Sequence, residues 1–293
     1  MFPISGGQAS NTGCHIAACL IAAIQLRGEP IQPSPKLKAT IHDSVQLAVL
    51  VWREIQGAQR NAGKLTMQFG RWQCPTRLSS AQMFLRQLKR NNNREWFAKN
   101  KARYQTSIVE PALSFIGSFA PQLEKISLFF VADARPTRGS LFRIYRDTRF
   151  ASDKRPFKTH VGIHFSHAGG KDAHAPVFYL HLEPDNCFAA AGIWHPDNQA
   201  LTKVRLAIVR EPEQWAKVRK RLTLEGDSLM RPPRGFAPNH PFIGDIRMKD
   251  FVASVALTEE QICSAKIMRD FGSACRKMAP LVEFTTKALG LKF

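Results

Sequence analysis

Acidic residues are scarce in this sequence. Across 293 residues, 23 Asp and Glu stand against 42 Lys and Arg, a formal charge of +19. A chain this short of negative charge is drawn to anionic partners: nucleic acid, anionic lipid or phosphorylated metabolites. Long hydrophobic runs are missing as well. The one strongly apolar run, HIAACLIAAIQL at residues 15–26, holds 12 residues, short of the ~20 that span a bilayer, so a membrane partner is not expected. No Lys or Arg precedes it, so it lacks the positive leading region of a secretory signal. The six cysteines, Cys14, Cys19, Cys74, Cys187, Cys263 and Cys275, include no C-x-x-C pair. That spacing excludes a zinc ribbon and a disulfide framework and points to a reducing cytoplasm. Helix-turn-helix, zinc-finger and aromatic RNP-type signatures are absent, as are internal repeats and low-complexity tracts.

What is present divides near residue 79. Residues 1–78 lack a sustained hydrophobic period apart from one amphipathic segment at 40–55, and read as a poorly structured N-terminal extension. Two origins fit it, translation from upstream of a natural start and a regulatory segment that docks on the main domain. From residue 79 the pattern is coherent. Ser80 stands as a helix cap before Met83, Phe84, Leu85 and Leu88, and Asn91 to Asn93 close that helix. Trp96, Phe97, Tyr104, Ile108, Ala112 and Phe115 recur at three or four residues, which predicts one longer helix kinked at Pro111.

Residues 126–133, 159–166, 176–183 and 187–194 read as strands, divided by a Gly-rich loop and by the turn residues EPDN. Helices are expected over 198–209 and 211–222, a strand over 249–257, and a closing helix over 258–291 broken at Pro280. The expectation is an α+β fold with a single main domain over 79–293, an antiparallel β-meander packed against N-terminal and C-terminal helices.

Several stretches also carry a resemblance. LKRNNNREWFAKNKARY, SLFRIYRDTRFASDKRPFKTHVGIHF, YLHLEPDNCFAAAGIWHPDNQAL, LMRPPRGFAPNHP and KDF follow one another as in a bacterial family with fungal relatives, the domain of unknown function numbered 2461. Its hallmark, Arg-x-x-Arg-Asp-x-Arg-Phe followed by Asp-Lys and an aromatic, is matched by Arg143, Arg146, Asp147, Arg149, Phe150, Asp153, Lys154 and Phe157. Many relatives carry Tyr where Phe157 stands. The resemblance spans about residues 79–293; it implies a fold and a boundary, and no catalytic role.

The chemistry must come from the residues. Residues 143–158 hold six Lys or Arg and two Asp. With Ser140 capping a short helix, Arg143 and Asp147 are spaced i to i+4 for an ion pair, which frees Arg146 to meet a ligand. Arg149, Asp153, Lys154 and Lys158 complete the ligand-binding set, since guanidinium forks suit phosphate and carboxylate. The alternative is a structural ion-pair network built on Asp147 and Asp153.

Strand alternation gathers a second group. His160, Gly162 and His164 share one face of their strand, and Tyr179, His181 and Glu183 share one face of the next. His181 with Glu183 is the candidate general base, and His160 joins the ligand-binding set. His164, His181 and Glu183 also have the donor types of a metal site, but solvent-facing histidines satisfy the same pattern, so no metal and no cofactor are assigned. His167 and His174 are placed in the exposed Gly-rich loop, whose Gly169, Gly170 and Lys171 fall within a predicted hairpin and do not form a phosphate-binding P-loop. Arg231 and Arg234 either extend an anion site or simply cap the fold, and Cys187 reads as a buried thiol. Two classes of partner remain: an anionic small molecule held by the Arg-rich segment, or nucleic acid on a basic face, since residues 79–293 alone carry 34 Lys and Arg against 20 Asp and Glu.

Overall fold

The computed structural model describes residues 76–170 and 175–293; the expected helix at 40–55, Lys171 and His174 lie outside the described residues. Helix α1 spans Thr76–Arg90 and buries Phe84, Leu85 and Leu88. It begins ahead of Ser80, which is therefore no cap, and its Met83 faces outward. Asn93 caps α2 (Arg94–Lys99), its side chain accepting from Trp96 N at 2.8 Å. In place of one helix kinked at Pro111, the chain continues as α3 (Lys101–Tyr104), a π turn (Gln105–Val109) and α4 (Glu110–Glu124). Pro111 has no N–H to donate, and the Glu110 N–H reaches back five residues to the Gln105 carbonyl. The widened turn thus absorbs the ring just ahead of it.

Only Phe130–Val131 of the expected 126–133 strand pairs, as β1. With β2 (Val161–His167), β3 (Val177–Glu183), β4 (Asn186–Ile193) and β5 (Phe251–Leu257) it forms a sheet in the order β1-β2-β3-β4-β5, antiparallel throughout. This is the expected meander in an α+β fold. Between β4 and β5 lie α5 (Asn198–Arg210), α6 (Pro212–Arg219) and the short α7 (Ile243–Ile246).

The closing helix does not break at Pro280. The interruption falls at residues 264–266, between α8 (Glu259–Cys263) and α9 (Ile267–Ala288), which runs through the proline. An interior proline costs a helix ~3 kcal/mol. Burial of Met278, Leu281 and Val282, all 0% exposed, offsets that cost.

Helices cover one face of the sheet. Val161, Ile163 and Phe165 of β2 point into this layer, as do Phe178, Leu180 and Leu182 of β3. Phe165 meets Phe119 of α4 at 5.1 Å and Phe271 of α9 at 5.9 Å, a tilted aromatic cluster that joins both helices to the sheet. Trp215 of α6 is fully buried against Phe251 and Phe284, and its Nε1 donates to Asp245 at 2.7 Å. No described helix is long and apolar enough to cross a membrane.

Candidate functional site

The opposite face of the sheet is polar. Pairing sets Gly162 against His181 and His164 against Tyr179, so the faces singled out by alternation coincide. Gly162 makes the packing possible: a Cβ there would lie 2.8 Å from the Tyr179 hydroxyl and 2.9 Å from the Phe142 ring. Tyr179 uses that space, and its Oη lies 2.9 Å from His181 Nδ1.

His181 is 8% exposed, sandwiched between Phe188 at 4.6 Å and His160 at 4.5 Å. Its Nε2 has no hydrogen bond and stands 3.5 Å from Glu183 Oε2. The other Glu183 oxygen accepts from Thr159 Oγ1 at 2.9 Å, with Lys89 Nζ at 3.8 Å. A carboxylate-oriented general base needs a hydrogen bond between carboxylate and ring. Here the hydrogen bond to the ring is made by Tyr179 at Nδ1, while Glu183 Oε2 lies within ion-pair range of Nε2. His164 lies apart, stacked on Phe142 at 4.4 Å, so His164, His181 and Glu183 do not form a donor trio. His160 takes that place: one donor atom from each of His160, His181 and Glu183 lies within 4.8 Å of the other two.

The electrostatics favour neutral imidazoles beside a carboxylate. Burial, then the neighbouring His181 and Lys158, lower the His160 pKa to about 4. Burial also lowers His181, against the opposing pull of Glu183. Burial alone would raise Glu183, but the Thr159 hydroxyl, His181 and Lys89 outweigh it and hold the carboxyl below its usual range. Tyr179 is pushed up to about 12 by burial and by the Glu183 charge.

The Arg-rich segment is not a helix. Ser140 caps nothing; its Oγ accepts from Asp133 N at 3.0 Å. Leu141 pairs with Ile163 of β2, and Tyr145 pairs with Phe157. Arg146 N donates to the Pro156 carbonyl and Lys158 N to that of Ile144, at 2.9 and 2.8 Å. The segment is a two-stranded arm with its tip at residues 147–155. Asn92 holds its base, donating to the Phe157 carbonyl at 2.9 Å and accepting from Phe157 N at 3.1 Å, while Phe97 stacks on Phe157 at 4.1 Å.

The arm lacks the helical spacing of a direct i to i+4 ion pair, so Arg143 and Asp147 interact only through their charges, a lesser cause of the lowered Asp147 pKa. Asp147 binds Arg149. Asp153 binds both Arg155 at 2.7 Å and Arg146 at 2.6 Å, which hold its carboxyl far below the usual carboxylate range, Arg155 most of all. Arg146 is therefore tied to Asp153 through Nη1. Three Asp-x-Arg runs share one geometry: Asp133 with Arg135, Asp147 with Arg149 and Asp153 with Arg155. In each, the aspartate accepts from the backbone N–H and the guanidinium of the residue two positions on. Lys154 Nζ donates to the Thr148 carbonyl at 3.1 Å.

Arg143 and Lys158 form no ion pair with a carboxylate among the described residues. Lys158 Nζ sits 5.2 Å from the centre of the Phe142 ring, and burial, then the Arg143 charge, lower its pKa. His167 is not in the loop; it ends β2, buried, with Nε2 2.8 Å from the Lys292 carbonyl. Arg231 and Arg234 are exposed. Cys187 is buried in β4, and burial raises its thiol pKa. Tyr179 as ring partner, Thr159 and Asn92 escaped the reading of the sequence, although the Asp-x-Arg repetition was open to inspection there.

A model of the family described as conserved hypothetical protein (DUF2461) matches residues 80–284. No curated protein and no solved structure matches the chain.

Proposed function

We propose that this chain, which belongs to the DUF2461 family, binds a small phosphorylated or carboxylated molecule where the base of the basic arm meets the polar face of the sheet. The carrying observation is the pairing of like charges. Lys158 is partly buried and feels the Arg143 charge, neither forms an ion pair with a carboxylate among the described residues, and both aspartates of the arm are ion-paired to other arginines. An anion placed between them removes the repulsion. A guanidinium fork and an ammonium point charge suit a phosphate or carboxylate group, and the half-exposed rings of Phe142 and Tyr145 offer apolar surface to the rest of the ligand.

Thermal denaturation of the full chain with inorganic phosphate, sugar phosphates, nucleotides and dicarboxylates tests the reading. A ligand held at a hundred times its Kd adds about 2.7 kcal/mol. Saturable stabilisation that survives high salt is expected, abolished by Arg143→Ala with Lys158→Ala and retained in Arg149→Ala. A response that persists in the double variant removes the assignment.

One observation favours nucleic acid as a second reading. Phe150 at the tip is 96% exposed, with the Arg149 guanidinium 5.9 Å from its ring centre, a combination on which a base can stack. Stabilisation by oligonucleotides alone, fading with salt and lost in Phe150→Ala, would put the tip ahead of the base.

A further inference from the structure

We propose that His160, His181 and Glu183 form a binding site for a divalent transition-metal ion. The site goes beyond the anion reading and does not rest on it.

The first ground is convergence. Donor atoms of the three side chains lie within 4.8 Å of one another, although His160 precedes β2 and the other two stand on β3. Ligands at ~2.0–2.2 Å from a zinc-like ion sit closer together than this, and small side-chain rotations close the difference. The second ground is the unsatisfied atom. His181 is 92% shielded, its Nδ1 faces Tyr179 Oη at 2.9 Å, and its Nε2, with no hydrogen bond, faces Glu183. Buried polar atoms are nearly always paired. A metal ion at this point takes up the Nε2 lone pair.

The third ground is the outer ring of partners. When Nδ1–H donates to Tyr179 Oη, the tautomer leaves Nε2 as the ligand atom. Thr159 holds Glu183 Oε1 at 2.9 Å and leaves Oε2 for the ion. Metal-bound histidines and carboxylates are oriented in this way by second partners. Among the described residues, Lys89, at 3.8 Å from Glu183, is the one Lys or Arg in contact with the carboxylate, and its side chain is 55% exposed.

Two imidazoles with one carboxylate suit Zn2+, Fe2+, Co2+ or Ni2+ and are a poor set for Mg2+ or Ca2+, which take oxygen ligands. Three protein ligands also leave open positions, the pattern of catalytic and not of structural sites.

The test uses the full chain, freed of metal with a chelator and titrated with Zn2+ and with Co2+ in phosphate-free buffer. One equivalent of Zn2+ is expected to raise the Tm, and one of Co2+ to give visible d–d absorption. His160→Gln and Glu183→Gln, both at partly exposed positions, are expected to weaken Zn2+ binding at least about 100-fold while keeping the circular dichroism of the parent. His164→Gln is expected to bind as the parent does. The proposal is overturned by a folded parent that binds neither ion. It is equally overturned by affinity unchanged in His160→Gln and Glu183→Gln, or by affinity lost in His164→Gln instead.

Discussion

The two faces of the sheet share the same strands and differ in nearly everything else. The inner face, with Phe165, Phe178 and Leu180 at 1% exposure or less, is covered by α4 and α9 and closed by tilted aromatic contacts. The outer face carries Tyr179, His181 and Glu183 beneath an arm held by backbone pairing and by one asparagine. The inner face is built from apolar area, which scales with burial and tolerates no voids. The outer face is built from directional hydrogen bonds and charge, where leaving an atom unpaired is costly unless something else binds it. The difference teaches where to look for function: the inner face accounts for stability, and the outer side holds a His181 Nε2 without a hydrogen bond, with Arg143 and Lys158 outside any carboxylate ion pair among the described residues.

The largest effect should come from the inner face. Phe119→Ala empties a fully buried position against Phe115, Phe165 and Phe271, and chemical denaturation should show a loss of about 3–5 kcal/mol. A loss below about 1 kcal/mol would mean that the aromatic cluster is not the main tie between helices and sheet.

A smaller loss should follow from releasing the arm. Asn92→Ala removes both hydrogen bonds to Phe157, at about 1–3 kcal/mol for the unpaired backbone groups. Limited trypsin digestion should then cleave within residues 143–158 sooner than in the parent, with the inner face unchanged. Cleavage at the parental rate would show that pairing along the arm suffices without Asn92.

The smallest effect concerns pH. Burial lowers the His164 pKa, opposed by the Gly139 carbonyl and by Asp133. Its folded pKa lies below the unfolded value of 6.5, so the unfolded chain takes up the proton first and stability falls as pH drops below about 6.5. The drop in Tm between pH 7 and pH 5 should be shallower in His164→Gln than in the parent. An equal drop would assign the acid sensitivity to other groups.

Much of the fold was legible. Strand spans at 159–166, 176–183 and 187–194 match β2, β3 and β4 to within two residues, because period-2 alternation marks a half-buried sheet strongly. The same period placed Tyr179, His181 and Glu183 on one face. Prolines misled in both directions: Pro111 suggested a kink where a π turn formed, and Pro280 suggested a break inside a continuous helix. Local propensity is weak beside burial of a long amphipathic face. The basic arm misled most. Helical spacing for Arg143 and Asp147 rested on local pattern, while an edge at β2 and the clamp from Asn92, distant in sequence, drew the segment into an extended pairing.

By itself, then, the sequence determined the α+β class, the meander and the polarity of its two faces, because alternation and helical period are local properties carried by neighbouring residues. The tertiary structure alone decided which groups meet. It brought His160 beside His181 in place of His164, gave Asp153 two arginines, and left Arg143 and Lys158 unpaired by any carboxylate among the described residues. Those choices depend on strand register and on the path of the arm, which are settled by contacts between residues far apart in the chain.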